Sequence, residues 1–190
     1  MAIVKILVRG YAKTGDIEQA SSSAVLVIDK EVKVVVDPGI NRETLAAGLQ
    51  KEGLKPEDIN FVMITHYHPD HSYGAAWFPQ AVLLDYKYRY KSDIVEQHDG
   101  FVPGTELAIM HTPGHAPEHC SLAVPTENGM VIAAGDVFWW PDGVKQTLDI
   151  NYPDEYAQDA VALQESRKKI LKLADVIIPG HGQVMQVTKE

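Results

Sequence analysis

Four apolar runs in this chain end in the same way. FVMIT (61–65) runs directly into His66 and His68, and ELAIM (106–110) leads into HTPGH, ending at His115. MVIAA (130–134) passes through Gly135 to Asp136, and DVIIPG (175–180) stops at His181. Short runs of aliphatic and β-branched residues closed by Gly or Pro read as buried strands. A fold containing them has to accommodate four strand ends that each carry an imidazole or a carboxylate. In open α/β folds, side chains presented at strand ends converge on a ligand site.

One turn histidine is normally a solvated surface group, and one Gly-Asp pair is normally just a turn. Four such ends beside the cluster THYHPDH (65–71) point instead to a metal site. The H-E-x-x-H spacing of a helical zinc site is absent, and Pro69 forbids a regular helix through the cluster. In extended backbone, residues two apart face one side, so His66 and His68 suit one ion. Asp70 and His71 are adjacent and suit a second ion if the chain turns into a helix there. His115 is the natural third ligand for the first ion, His181 the natural third for the second, and Asp136 can bridge both. Nitrogen and oxygen donors without thiolate suit zinc, and also iron or manganese.

The remaining pattern predicts an α/β chain with layered α and β elements. Strands are expected at IVKILV (3–8), SAVLVID (23–29), VKVVVD (32–37), AVLLD (81–85), CSLAV (120–124) and QVMQV (183–187). A helix is expected over 41–53 with Asn41 as its cap, a helical turn at PEDI (56–59), and a long helix from Pro153 to Ala174. In that long helix Ala157, Ala160, Val161, Ile170, Leu171 and Ala174 form the expected apolar face. Arg167, Lys168, Lys169 and Lys172 load its C-terminal half, where they complement the helix dipole. YKYRYK (86–91) interleaves aromatic and basic residues as single-strand nucleic-acid platforms do, but reads first as an amphipathic edge strand, and composition does not decide whether 10–22 forms a flap over the site.

With 190 residues and no linker or repeat, a single domain over 1–190 is expected. The formal charge of −9 argues against nucleic acid as a partner, since a basic field is expected there. The single cysteine, Cys120, allows no internal disulfide and no thiolate cluster, and it reads as a buried, inert thiol. The chain has no apolar run long enough to span a membrane and no signal-peptide pattern, so a cytoplasmic location is expected.

At these residues the chain resembles the metallo-β-lactamase-fold hydrolases. His66, His68, Asp70 and His71 match the H-x-H-x-D-H motif of that superfamily. His115 in TPGH, Asp136 in AGD and His181 in PGHG match its other ligands. The resemblance implies an αββα sandwich with the site at one edge, where two sheets meet. It also implies that Asp37, in VVVDPG, stands behind the ligands. Zinc β-lactamases usually carry Cys or Ser where this chain has Asp136, and flavodiiron proteins Glu where it has His68, so neither branch fits. The combination of His71 and Asp136 is similar to glyoxalase II, the acyl-homoserine lactonases and ribonuclease Z, and within that set TPGHAPEHCSL is most similar to the lactonase and glyoxalase members. The sequence is most like small single-domain members of the metallo-β-lactamase domain-containing 1 type. Residues 182–190 are too few to match the glutathione-binding region of glyoxalase II, and no segment matches the RNA-holding insertions of the processing nucleases.

These matches make a metal-dependent hydrolase of a small ester, lactone or thioester the leading expectation. Two divalent ions, zinc first, would share a hydroxide, and Asp70 would orient it as the catalytic carboxylate. The alternatives are a phosphodiesterase or ribonuclease acting on RNA, and a mononuclear iron oxygenase of the persulfide dioxygenase type. A non-catalytic metal-binding protein is a further class. His119 is a candidate for the ligand surround or the pocket. Phe138 and Trp139, in FWWPDG, are candidates for a substrate wall or a homodimer contact, and Tyr152 for polarising a substrate carbonyl.

Overall fold

The structure, a computed structural model, describes residues 1–15 and 18–188. The strands are β1 (Ile3–Val8), β2 (Tyr11–Lys13), β3 (Gln19–Ser21), β4 (Ala24–Asp29), β5 (Val32–Val36), β6 (Phe61–Met63) and β7 (Val82–Leu84). They continue as β8 (Tyr88–Lys91), β9 (Ile94–Gln97), β10 (Ala108–His111), β11 (Cys120–Thr126), β12 (Gly129–Gly135), β13 (Val176–Pro179) and β14 (Met185–Gln186). The helices are α1 (Arg42–Lys51), α2 (Pro69–Ser72) and α3 (Ala160–Leu173), with 3-10 turns at Pro56–Asp58 and Tyr73–Trp77.

Two mixed sheets form the centre, in the orders β1-β4-β5-β6-β7-β8-β9 and β10-β11-β12-β13-β14. The side-chain period of two sorts their strands into layers. Val25, Val27, Val34 and Val36 pack in the same cluster as Leu122, Val124, Ala133 and Ile178 from the other sheet. Their immediate neighbours Leu26 and Val35 face the other way, against Leu45 and Leu49 of α1. On the far side Ala123, Ile132 and Ile177 pack against Leu163 and Ile170 of α3. Strands buried on both faces account for the uninterrupted apolar runs in the sequence. Each fully buried aliphatic side chain contributes about 1.5–3 kcal/mol. The result is the four-layer α/β/β/α sandwich.

Three expectations need correcting. The long helix starts at Ala160, not Pro153, because the Asp159 side chain accepts from Val161 N and Ala162 N and caps it there. Within it Val161 is 72% exposed, whereas Arg167, expected on the basic solvent face, is buried. Last, β8 is not an edge: β9 pairs with it antiparallel and forms the edge itself.

Candidate metal centre

The side chains that converge come from both sheets. After β6 the chain passes through Thr65 to His66, and at Pro69 it enters the single turn of α2, where His71 N and Ser72 N donate to His68 O. That turn supplies the helical start needed to bring Asp70 and His71 alongside the histidines. In the second sheet, β10, β12 and β13 lead to His115, Asp136 and His181. Two glycines make this possible. Gly114 (φ +136°) brings the His115 turn so close to α3 that a Cβ there would lie 2.2 Å from Leu163 N. At Gly180 a Cβ would stand 1.8 Å from Asp136 Oδ1, so only glycine leaves room for the carboxylate.

His66, His68, His115 and Asp136 form one group of potential ligands, and Asp70, His71 and His181 a second beside it. In the first, His68 Nδ1 lies 2.9 Å from His66 Nε2 and 3.2 Å from His115 Nε2. Asp136 Oδ2 lies 3.5 Å from His115 Nε2 and 4.0 Å from His66 Nε2. In the second, His181 Nε2 lies 3.3 Å from His71 Nε2 and 3.2 Å from Asp70 Oδ2. Asp136 reaches this group too, with Oδ1 3.3 Å from His71 Nε2 and Oδ2 3.6 Å from His181 Nε2. Donor atoms around a tetrahedral ion with bonds of about 2.1 Å stand about 3.4 Å apart, which matches these separations.

Contacts behind the rings decide which nitrogen carries a proton. His181 Nδ1 is 3.0 Å from Tyr11 O, and a carbonyl only accepts, so Nδ1–H donates. His71 Nδ1 and His115 Nδ1 each lie 2.8 Å from a carboxylate oxygen, of Asp37 and Asp154 respectively. Thr65 Oγ1 donates to Asp37 Oδ2 at 2.7 Å, so its oxygen accepts from His66 Nδ1–H at 3.0 Å. With Nδ1 engaged in all four rings, the four Nε2 atoms point at the same small space. Asp136 Oδ1 is also buried there with no hydrogen-bond donor. Ring nitrogens and carboxylates arranged in this way fit a divalent cation.

Charge follows the same pattern. Burial opposes the charged form of His181, yet Asp136 and Asp70 push its pKa up to about 9. His71 is also raised despite its burial, by Asp136 and Asp37. Burial works against ionised Asp136, but His71 and His181 hold its carboxyl well below the usual range. His66 is the opposite case: burial, then His71, keeps it well below the ordinary histidine value.

His119 supports the centre from outside. Its Nε2 accepts from Asp136 N at 3.1 Å, and its Nδ1 lies 3.1 Å from Thr112 Oγ1. Burial, reinforced by His115, lowers its pKa to about 3, so it stays neutral and able to accept. Asp37 adopts φ +48°, uncommon outside glycine, and holds Thr65 N as well as His71.

A cavity of about 190 Å³ opens over the two groups. Its floor includes His68, Asp70, His115, Asp136 and His181, one wall is the β2–β3 hairpin, and the other is Trp139 with Tyr156. Segment 10–22, whose relation to the site the sequence left open, lines the cavity through Ala12, Lys13, Glu18, Gln19 and Ala20, and residues 16 and 17 lie outside the described residues. Of the aromatic candidates only Trp139 reaches the cavity. Phe138 is buried beneath it with Trp140, and Tyr152 packs against the same apolar cluster. Asp154 and Tyr156 were missed because the stretch from Pro153 reads in the sequence as the start of the long helix, which begins only at Ala160. The only hint was the pair of capping-type residues, Asp154 and Asp159.

The family model for the metallo-beta-lactamase superfamily matches residues 18–83. Metallo-beta-lactamase domain-containing protein 1 of Xenopus laevis is 35% identical, over 98% of this chain and 82% of its own length. A solved structure from Thermotoga maritima assigned to the metallo-β-lactamases has a TM-score of 0.74 at 22% identity, covering 97% of this chain and 99% of that one. AidC, a dizinc quorum-quenching lactonase solved with its product N-hexanoyl-L-homoserine, has a TM-score of 0.65 at 20% identity, covering 87% and 73%. The chain belongs to the metallo-β-lactamase superfamily.

Proposed function

We propose that this protein is a hydrolase that holds two divalent ions, zinc by preference, and cleaves an ester, lactone or thioester of a small carboxylic-acid derivative. His66, His68 and His115 would hold the first ion, Asp70, His71 and His181 the second, and Asp136 both. Ions held there supply a nucleophile from water near neutral pH and polarise the carbonyl under attack. The observation that carries this reading is the set of four rings whose Nδ1 atoms are committed to acceptors, leaving their Nε2 atoms converging beside Asp136 Oδ1. The fold likeness to a dizinc lactonase supports the substrate class.

Of the two ligand carboxylates that line the cavity, Asp70 is the more exposed, its side chain at 22% against 6% for Asp136. It would orient the attacking water and take its proton, returning it to the leaving group. Trp139 and Tyr156 would lie along the acyl part, and the hairpin would limit bulk water.

No observation favours RNA. Arg89 is engaged by Glu96 at 2.8 Å, and Arg89 and Lys91 line a different cavity with Phe61 and Ile94. The test is a panel of lactone, ester, thioester and RNA substrates offered to wild type and Asp70→Ala. Hydrolysis of a carbonyl substrate that disappears in the variant is expected. Cleavage of RNA alone would overturn the reading.

A further inference from the structure

His115 sits at the end of a loop and not directly on a strand: β10 stops at His111, and Thr112–Gly114 intervene. What fixes its ring is Asp154, whose side chain is 1% exposed and whose Oδ2 lies 2.8 Å from His115 Nδ1. The other oxygen of the same carboxylate, Oδ1, accepts from Tyr156 N at 3.0 Å. Tyr156 lines the cavity and its ring stands 5.7 Å from that of Trp139. One carboxylate therefore holds a metal-type ligand with one oxygen and a wall of the cavity with the other.

The segment carrying Asp154 contains no helix or strand, so something else has to hold it. Gln158 N and Asp159 N donate to His115 O and Gly114 O, which pins its far end to the ligand turn. Its near end is held by buried Arg167 of α3, whose Nη1 donates to Ile150 O and Tyr152 O. Arg167 Nε donates at 2.9 Å to Val137 O, the carbonyl that directly follows Asp136. A single guanidinium thus ties the turn presenting Asp136 to the loop that orients His115. Its fork of donors is suited to this in a way that a lysine ammonium is not.

We infer that Asp154 is a positioning residue for both His115 and Tyr156, and that Arg167 is its mount, fixing the distance between His115 and Asp136. The inference rests on the reading of His115 as a metal ligand. It goes further by linking the geometry of the ligand group to the shape of the substrate wall through a residue outside the histidine motifs.

The test uses the full chain, Asp154→Asn and Arg167→Lys. Each is read for Zn²⁺ affinity by competition with a chromophoric chelator, for the visible absorption of the Co²⁺-loaded protein, and for kcat and KM. Asn preserves the shape but offers one acceptor where the carboxylate offers two. Loss of a partner behind a ligand lowers metal affinity by about 10–100-fold. Both variants should show that loss and an altered Co²⁺ spectrum, and Asp154→Asn should also raise KM because Tyr156 is released. If Arg167→Lys does not fold, Asp154→Asn decides alone. Wild-type affinity and a wild-type Co²⁺ spectrum in Asp154→Asn would overturn the inference, even if its melting temperature fell. Wild-type protein that binds neither Zn²⁺ nor Co²⁺ would instead defeat the metal reading, and the inference with it.

Discussion

Asp37 Oδ2 stands 2.8 Å from His71 Nδ1, joining the end of β5 to the start of α2 across 34 residues of sequence. Both groups are buried, and the same aspartate accepts from Thr65 N at 2.7 Å. The contact fixes which nitrogen of His71 faces the candidate centre. Asp37→Asn should therefore lower affinity at the second ligand group by about 10–100-fold with little change of fold. Asp37→Ala leaves Thr65 N–H buried and unpaired, and should also lose about 1–3 kcal/mol of stability in urea unfolding.

Asp70→Ala should remove turnover by about 100-fold or more, the usual scale for loss of a positioned acid–base group. Since its side chain is partly exposed at the cavity floor, the variant should keep its fold. Paired kinetics and thermal unfolding check this, and an active Asp70→Ala would remove the role assigned to it.

Metal uptake should depend on pH with a defined sign. Without metal, His181 is raised to about 9, so at neutral pH its ring holds a proton that an ion has to displace. Apparent affinity should increase as pH rises toward that value, and binding at neutral pH should release protons. Calorimetry in two buffers of different ionisation enthalpy reads the release directly. Identical heats in both would contradict it.

Asp85 offers a pH prediction away from the centre. Its carboxylate accepts from Tyr67 Oη, Tyr90 Oη, Lys87 N and Tyr88 N. Burial works against the ionised form, yet Tyr90 and the other donors hold its pKa below the ordinary value. A lowered carboxyl pKa stabilises the fold above the unfolded value of about 3.9, and that contribution is lost as pH falls through the folded value. Asp85→Asn should therefore be less stable than wild type at pH 7. The gap between their urea midpoints should narrow once pH drops below about 4.

The sequence conveys the layers well because strands buried on both faces leave nothing but apolar side chains, as in VLVI of β4 and VVV of β5. The ligand-type side chains were legible for a different reason: each follows such a run, His66 directly and His115, Asp136 and His181 across a Gly or Pro turn. Arg167 was misread because its spacing resembles that of its solvated neighbours Lys168 and Lys169. Burying a guanidinium depends on three carbonyls from two other loops, which no local pattern encodes. Asp154 escaped for the same reason, its partner His115 being 39 residues away. The β9 edge strand was missed because its residues are exposed and show no alternation of burial.

The central claim is that the two groups, sharing Asp136, hold two ions. Elemental analysis of protein purified without added metal tests it most directly, alongside His181→Ala prepared in the same way. Two divalent ions per wild-type chain, zinc first, and about one in the variant are predicted. A single iron per chain with no second metal, unchanged in His181→Ala, would contradict it.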